Sequence, residues 1–471
     1  MPVGGEDGQV NSSNGEDSQV ETSDEAGRQV ERQVEPFGKA MRDALKDHAA
    51  RDAIRKVHLR GKDIEPLTAV VSTLTPLDGG SRDSSVESIV LEGEVIPEYL
   101  FRYSILGPPT NSVDGSDFFS LHRFPKLRVL SLSGRFTISS WAWACLKSNT
   151  GGLVDLSLSL NSPYSTLTTP QILSLLASNP NIRSLALTLW KIGDDGVSGS
   201  KSLVPLRHLE KLSLEGEYRR TSSIMHRLGL PEKVDRTRLG FYNCEQDEVR
   251  EVVTPHIRDY LRRDPRFKDR LGVVISRYGN RLLLRASVIG VGYHGPDRLP
   301  QQGPPFVTLS MKGDDPDRSD VCVDILTFLP QESIVYFETN ISEAATNEMV
   351  AAMPNLEALY LVEPMVSDGF LLSNDIGPNP HAKLLPPLRR LYLHGAKSES
   401  CGSGWSPLVH YVTHQTSINR AFSPYLYGND INISPGLVGQ IEDLVEEFVC
   451  GPVPGRSRLY YNDEMYSYAG D

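Results

Sequence analysis

LVDLSL at Leu153–Leu158, IRSLAL at Ile182–Leu187 and LEKLSL at Leu209–Leu214 share one spacing, apolar-x-x-apolar-x-apolar. In an extended strand successive side chains point to opposite faces. The fourth and sixth residues of each hexapeptide therefore share one face, and the third, fifth and seventh share the other. Leu156 and Leu158, Leu185 and Leu187, and Leu212 and Leu214 are the candidate core. The three starts lie 29 and 27 residues apart. No single segment of that length can cover its own apolar face, but stacked copies cover one another.

The same spacing extends in both directions. IRKVHL from Ile54, VESIVL from Val86 and LRVLSL from Leu127 precede the central three; LEALYL from Leu356 and LRRLYL from Leu388 follow. Starts of the first six are separated by 32, 41, 26, 29 and 27 residues, and those of the last two by 32. Gly61, Gly93, Gly134, Gly216 and Gly395 close five of the eight. The central intervals match the ~20–29 residues of a leucine-rich repeat. The expected fold is an α/β leucine-rich-repeat solenoid, with a parallel sheet on the concave face and helices on the convex face.

Between the strands the pattern turns helical. Thr169 reads as an N-cap with Pro170 first in the helix, which carries Ile172, Leu173, Leu175 and Leu176 and stops before Pro180. Ser342 reads as the cap of a helix ending near Met353-Pro354. In the long gap, PPFVTLSM puts Phe306, Leu309 and Met311 on the template, and ESIVYF puts Val335 and Phe337 there. LGVVISRYGNRLLLRASVI reads as a hairpin turning at Gly279-Asn280, part of an irregular insertion over about 240–300. Leu437, Ile441, Leu444, Val445 and Phe448 mark an amphipathic capping helix over about 434–450. The solenoid is thus expected over 37–450, with a flexible tail at 451–471.

Residues 1–36 differ. GEDGQV ends at Val10, GEDSQV at Val20 and GRQV at Val30, a polar decapeptide period with a local charge of −7 through Glu35, against −12 for all 471 residues. Such a segment buries too little to offset its ordering entropy, so a disordered acidic tail is expected. Five dispersed cysteines without a CxxC pair read as reduced thiols of the cytoplasm or nucleus. There is no basic-apolar leader and no apolar run of ~18 residues. Neither a membrane nor nucleic acid is an expected partner of so acidic a chain.

Several of these segments resemble the fungal F-box leucine-rich-repeat proteins: NPNIRSLALTL, YLRRDPRFKDRLGVVIS, MPNLEALYLVE, LLPPLRRLYLHG and WSPLVHYVTHQTS, spanning roughly 37–450. The resemblance implies a substrate receptor whose repeats hold a protein. In that family an N-terminal F-box docks on the adaptor of a cullin–RING ubiquitin ligase. Here acidic decapeptides precede Phe37 and no Leu-Pro-rich helical segment does, so the adaptor is an expected partner only if an F-box is missing from this gene model.

Motifs of chemistry are few. Walker, dinucleotide, nucleophile-elbow and HExxH patterns are absent, so neither an enzyme nor a cofactor is expected. His410 and His414, four apart with Cys401 upstream, read as packing or surface histidines before a metal pair. Arg262, Arg263, Arg266, Lys268 and Arg270 read as a solvated helix end before a nucleic-acid patch. Binding is instead expected on the outward template positions. These run from Lys56, His58 and Arg60 in the first repeat, through small polar residues, to Ala358, Tyr360 and Val362 and then Arg390, Tyr392 and His394. Tyr and Arg are the types that most often carry binding energy. Tyr360, Tyr392, Arg390 and His394 are the expected partner-binding patch, with Lys56 and Arg60 as further candidates. Pairing of those two strands would set the tyrosine rings about 5 Å apart.

Overall fold

The computed structural model describes residues 55–60, 86–92, 126–134, 152–160, 168–189, 203–242, 258, 260–261, 263–278, 281–290, 303–312, 329–366, 386, 388–398, 404–428 and 433–451. The acidic decapeptides, the helix read after Phe37 and the tail after Gly451 lie outside them.

The described chain is mixed α/β, with a large, mostly parallel sheet and few helices. Its strands are β1 (Lys56–Arg60), β2 (Ser88–Glu92), β3 (Val129–Gly134), β4 (Asp155–Leu160) and β5 (Ser184–Leu189). There follow β6 (Val204–Pro205), β7 (Lys211–Glu217), β8 (Leu228–Gly229), β9 (Arg236–Tyr242), β10 (Leu271–Tyr278), β11 (Arg281–Val288) and β12 (Val307–Lys312). The last are β13 (Ile334–Thr339), β14 (Ala358–Val362), β15 (Met365–Val366), β16 (Arg390–His394), β17 (Lys397–Ser398), β18 (Ser423–Tyr427) and β19 (Val449–Gly451). Fifteen of these form one sheet in the order β1-β2-β3-β4-β5-β7-β9-β12-β11-β10-β13-β14-β16-β18-β19, while β6 pairs with β8 and β15 with β17. The helices are α1 (Thr169–Ser178), α2 (Tyr218–Arg227), α3 (Glu343–Ala351), α4 (Ser406–Ile418) and α5 (Pro435–Glu442).

From β1 to β9 the register never slips. Val57, Ile89, Leu130, Leu156, Leu185, Leu212 and Thr237 are successive lateral partners, and all are buried on one face. A one-residue slip would turn every one of these side chains to the other face. The entry to each strand repeats one hydrogen-bond pattern. The carbonyl of Arg55 accepts from the amides of Glu87 and Ser88, that of Glu87 from Arg128 and Val129, that of Arg128 from Val154 and Asp155, and that of Val154 from Arg183 and Ser184. The carbonyl of Glu357 does the same with Arg389 and Arg390, so the two ends of the sheet are built by one rule.

Helix ends are sealed by buried amides. Asn179, the C-cap of α1, donates to the Leu175 carbonyl at 2.9 Å and accepts from the Leu153 amide at 3.4 Å. Gln415 of α4 accepts from the Leu388 amide at 3.1 Å, and Asn419 donates to the Leu388 carbonyl at 2.9 Å. Leu153 and Leu388 both open their hexapeptide, so the same backbone position is served in both halves. Each bond also satisfies a group that would be costly to bury alone.

One strand runs against the rest. β11 is antiparallel to β10 and to β12, whereas β12 is parallel to β9 and β10 is parallel to β13. The hairpin read at Gly279-Asn280 is therefore a full member of the sheet, with Tyr278 opposite Arg281. Arg266 anchors its approach: the guanidinium holds the Asp264 carboxylate, donates to the carbonyls of Val234 and Asp235, and lies over the Phe306 ring at 4.2 Å. Phe267 packs edge-on against Phe306 at 5.2 Å. Pro265–Lys268 is a single 3₁₀ turn, and part of the basic run at 262–270 is thus structural.

Four local readings are corrected. The N-cap of α1 is Thr168, one residue earlier than read, because Thr168 and Gln171 form a reciprocal capping box. At ESIVYF a register irregularity follows Ile334, so Phe337 points to the main core while Val335 packs on the opposite face. The helix read to 450 ends at Glu442, and Val449–Gly451 instead form the edge strand β19. Glu442, Asp443, Glu446 and Glu447 would have placed four carboxylates at the negative end of a longer helix. Strands β9, where Thr237 stands at an apolar template position, and β18, where Pro424 does, were not read, and neither were the two-residue strands β6, β8, β15 and β17.

Candidate partner-binding face

The sheet buries its leucine rows on one face. The other face, from β7 to β18, carries the large polar and aromatic side chains. Because β14, β16 and β18 pair in parallel, Tyr360 stands beside Tyr392 and Tyr392 beside Tyr425. The rings stack, with centroids 5.7 Å apart at 25° for the first pair and 4.7 Å apart at 15° for the second. Strand spacing of about 4.8 Å makes in-register aromatics a ladder. Tyr427 stacks on Tyr425 at 6.3 Å, and His394 meets the edge of Tyr360 at 6.3 Å. Tyr336, Val335, Ala358, Val362 and Ile289 complete a second apolar cluster.

This ladder is buried: Tyr392 is 0% exposed and Tyr425 1%. Its accessible groups are at the margin, where Arg390 and His394 are partly exposed. Burial holds the His394 imidazole below its usual pKa, with Glu363 opposing. The phenol of Tyr425 donates to Glu447 at 3.0 Å. The phenol of Tyr336 donates to Glu338 at 2.9 Å. Burial pushes the Glu338 carboxyl up, against the Tyr336 hydrogen bond and the charge of Arg285.

Toward the middle of the sheet the face becomes a charged network. Arg238 bonds Glu215 at 2.6 Å, and Tyr242 donates to the same carboxylate at 3.0 Å. Gly240 lies beneath that side chain; a Cβ there would come within 2.9 Å of the Glu215 Cγ. Arg281 donates to Ser310 at 2.7 Å.

Of the six residues singled out in the sequence, Tyr360, Tyr392, Arg390 and His394 come together here. Lys56 and Arg60 do not. They lie on β1, first in the strand order, whereas β14 and β16 stand twelfth and thirteenth, a separation of roughly 50 Å along the sheet. Lys56 is exposed, and Arg60 stands opposite Glu92. Sequence reading missed Tyr425, although it follows Tyr392 by 33 residues as Tyr392 follows Tyr360 by 32. It also missed Tyr336, Glu338 and Arg238, which sit on strands whose register was misread or unread, and Arg285, which sits on a hairpin strand that was read.

His410 and His414 lie on the exposed face of α4, and Cys401 is outside the described residues. No group of three or more metal-ligating side chains comes together among the described residues. No helix among them is long and apolar enough to cross a membrane. No family model matches the sequence, and no curated protein is significantly similar to it.

Proposed function

We propose that this chain is a non-catalytic protein-recognition scaffold of the cytoplasm or nucleus. In this reading the sheet is the concave face of a leucine-rich-repeat solenoid, with helices on the convex side. The scaffold resembles the substrate-holding part of an F-box ubiquitin-ligase receptor. The observation that carries the reading is the tyrosine ladder bordered by Arg390 and His394. Stacked aromatic rings concentrate on one face and at one end, beside Arg390, while a network of Arg238, Glu215 and Tyr242 continues toward the middle of the sheet. A protein partner would gain most of its affinity from a few such residues.

The test uses the exposed margin. An Arg390→Ala/His394→Ala double variant should lose a co-purifying protein partner by roughly thirtyfold in affinity, the equivalent of about 2 kcal/mol. Undiminished capture by a variant with wild-type thermal stability would overturn the assignment. A second reading is a standalone structural or signalling scaffold with no ligase role. Pull-down with the cullin–RING adaptor separates the two, since the scaffold retains its own partner without it.

A further inference from the structure

A second candidate site lies toward the opposite end of the sheet from the tyrosines. It is a cleft of about 360 Å³ where the chain enters β3, β4 and β5, lined by Lys126, Arg128, Gly152, Val154, Arg183 and His208. The repeat itself builds it. The Val154 amide bonds the Arg128 carbonyl and the Arg183 amide bonds the Val154 carbonyl, so Arg128, Val154 and Arg183 form one lateral row. Two residues earlier in each repeat, Lys126, Gly152, Asn181 and His208 form a parallel row.

In the first row the neutral Val154 lies between Arg128 and Arg183; in the second Gly152 lies between Lys126 and the uncharged Asn181, with His208 beyond. Arg128 and Arg183 are two strands apart, about 10 Å. That gap suits one tetrahedral anion gripped by a guanidinium fork from each wall. Among the described residues neither Lys126 nor Arg128 has an ion-pair partner. Arg183 meets Glu210 at 3.4 Å, but both side chains are at least half exposed. Such pairs contribute little and exchange readily for a stronger acceptor. In a chain of net charge −12, three permanent cations around one neutral floor are a local reversal of sign.

We propose that this cleft binds a phosphoryl group, carried either by a phosphorylated side chain of a protein or by a free phosphorylated compound. A phosphomonoester brings about two negative charges and three acceptor oxygens, which Arg128 and Arg183 clamp while Lys126 and His208 close the entrance. The site is independent of the tyrosine face.

The full chain is titrated calorimetrically with pyrophosphate, and probed on an array of phosphoserine peptides beside their unphosphorylated twins. Phosphate-dependent binding is expected on at least one probe: on the array if the source is a protein, on pyrophosphate alone if it is a free compound. It should weaken at least tenfold in an Arg128→Gln/Arg183→Gln variant. Arg55→Gln, on the same edge but two strands before β3, should leave it unchanged. Binding equally strong in the double variant, equal capture of unphosphorylated peptides, or no binding of either probe would each overturn the proposal.

Discussion

At the scale of the residue, Tyr392 shows how one side chain does two jobs. It covers the sheet, and it carries the stack between Tyr360 and Tyr425. Being fully buried, Tyr392→Ala should cost about 3–5 kcal/mol in denaturant unfolding, as large-to-small changes of buried aromatics do. Loss of a partner in that variant would therefore say little about contact, which is why the margin residues are the better probe. His394 gives a pH signature. Its folded pKa is depressed by burial, so below the unfolded value near 6.5 the unfolded chain takes up the proton first. Stability that depends on neutral His394 is present above that pH and is lost as the pH falls through it. In His394→Gln this part of the acid limb should vanish, and the variant should gain on the wild type between pH 7 and pH 5 in thermal melts. An unchanged difference across that range would remove the role. The alternation that buries Leu391 and Leu393 and turns Tyr392 away was legible from period two alone. The burial of Tyr392 itself was not, because period two assigns a face and says nothing of what lies over it.

Elements were legible in proportion to how strictly they kept leucine at the inward positions. β3, β4, β5, β7, β14 and β16 lie where the hexapeptides stand. β9 escaped because Thr237 replaces an aliphatic residue; its hydroxyl is paired at 2.8 Å with the phenol of Tyr260, whose pKa burial pushes up to about 12. That hydroxyl finds its partner 23 residues downstream, which local pattern cannot announce. The amide seals are a sharper case. Asn179 and Gln415 differ in length and in position on their helices, yet each closes the backbone amide two residues before a strand begins. Asn179→Leu should cost about 1–3 kcal/mol by leaving the Leu153 amide buried and unpaired. Asn355→Ala, whose amide reaches the Glu332 carbonyl at an exposed site, should cost less than about 1 kcal/mol. Chemical denaturation of both variants reads the contrast, and equal losses would show that sealing is not what the buried amide contributes.

Across the whole molecule, parallel pairing of equivalent positions is what the periodicity announced, and it extends through twelve of the strand neighbourships in the sheet. The two antiparallel ones belong to β11. The hairpin was visible from its turn and its alternating strands. Its place between β9 and β13 was not, since lateral order depends on which free edges meet, a tertiary matter. Arg266 is the element most committed to that arrangement. Arg266→Ala should destabilise by about 1.5–3 kcal/mol, the range for hydrogen bonds to charged groups, and should raise amide hydrogen exchange in β12 more than in β4. The inverted order also bears on synthesis. The partner of β9 on its far side is β12, and Val307 lies 65 residues after Tyr242. At 5–20 residues per second a ribosome needs about 3–13 s to deliver them. For that interval seven strands stand with an open, hydrogen-bond-hungry flank, so nascent chains of this length are where a chaperone would be most needed.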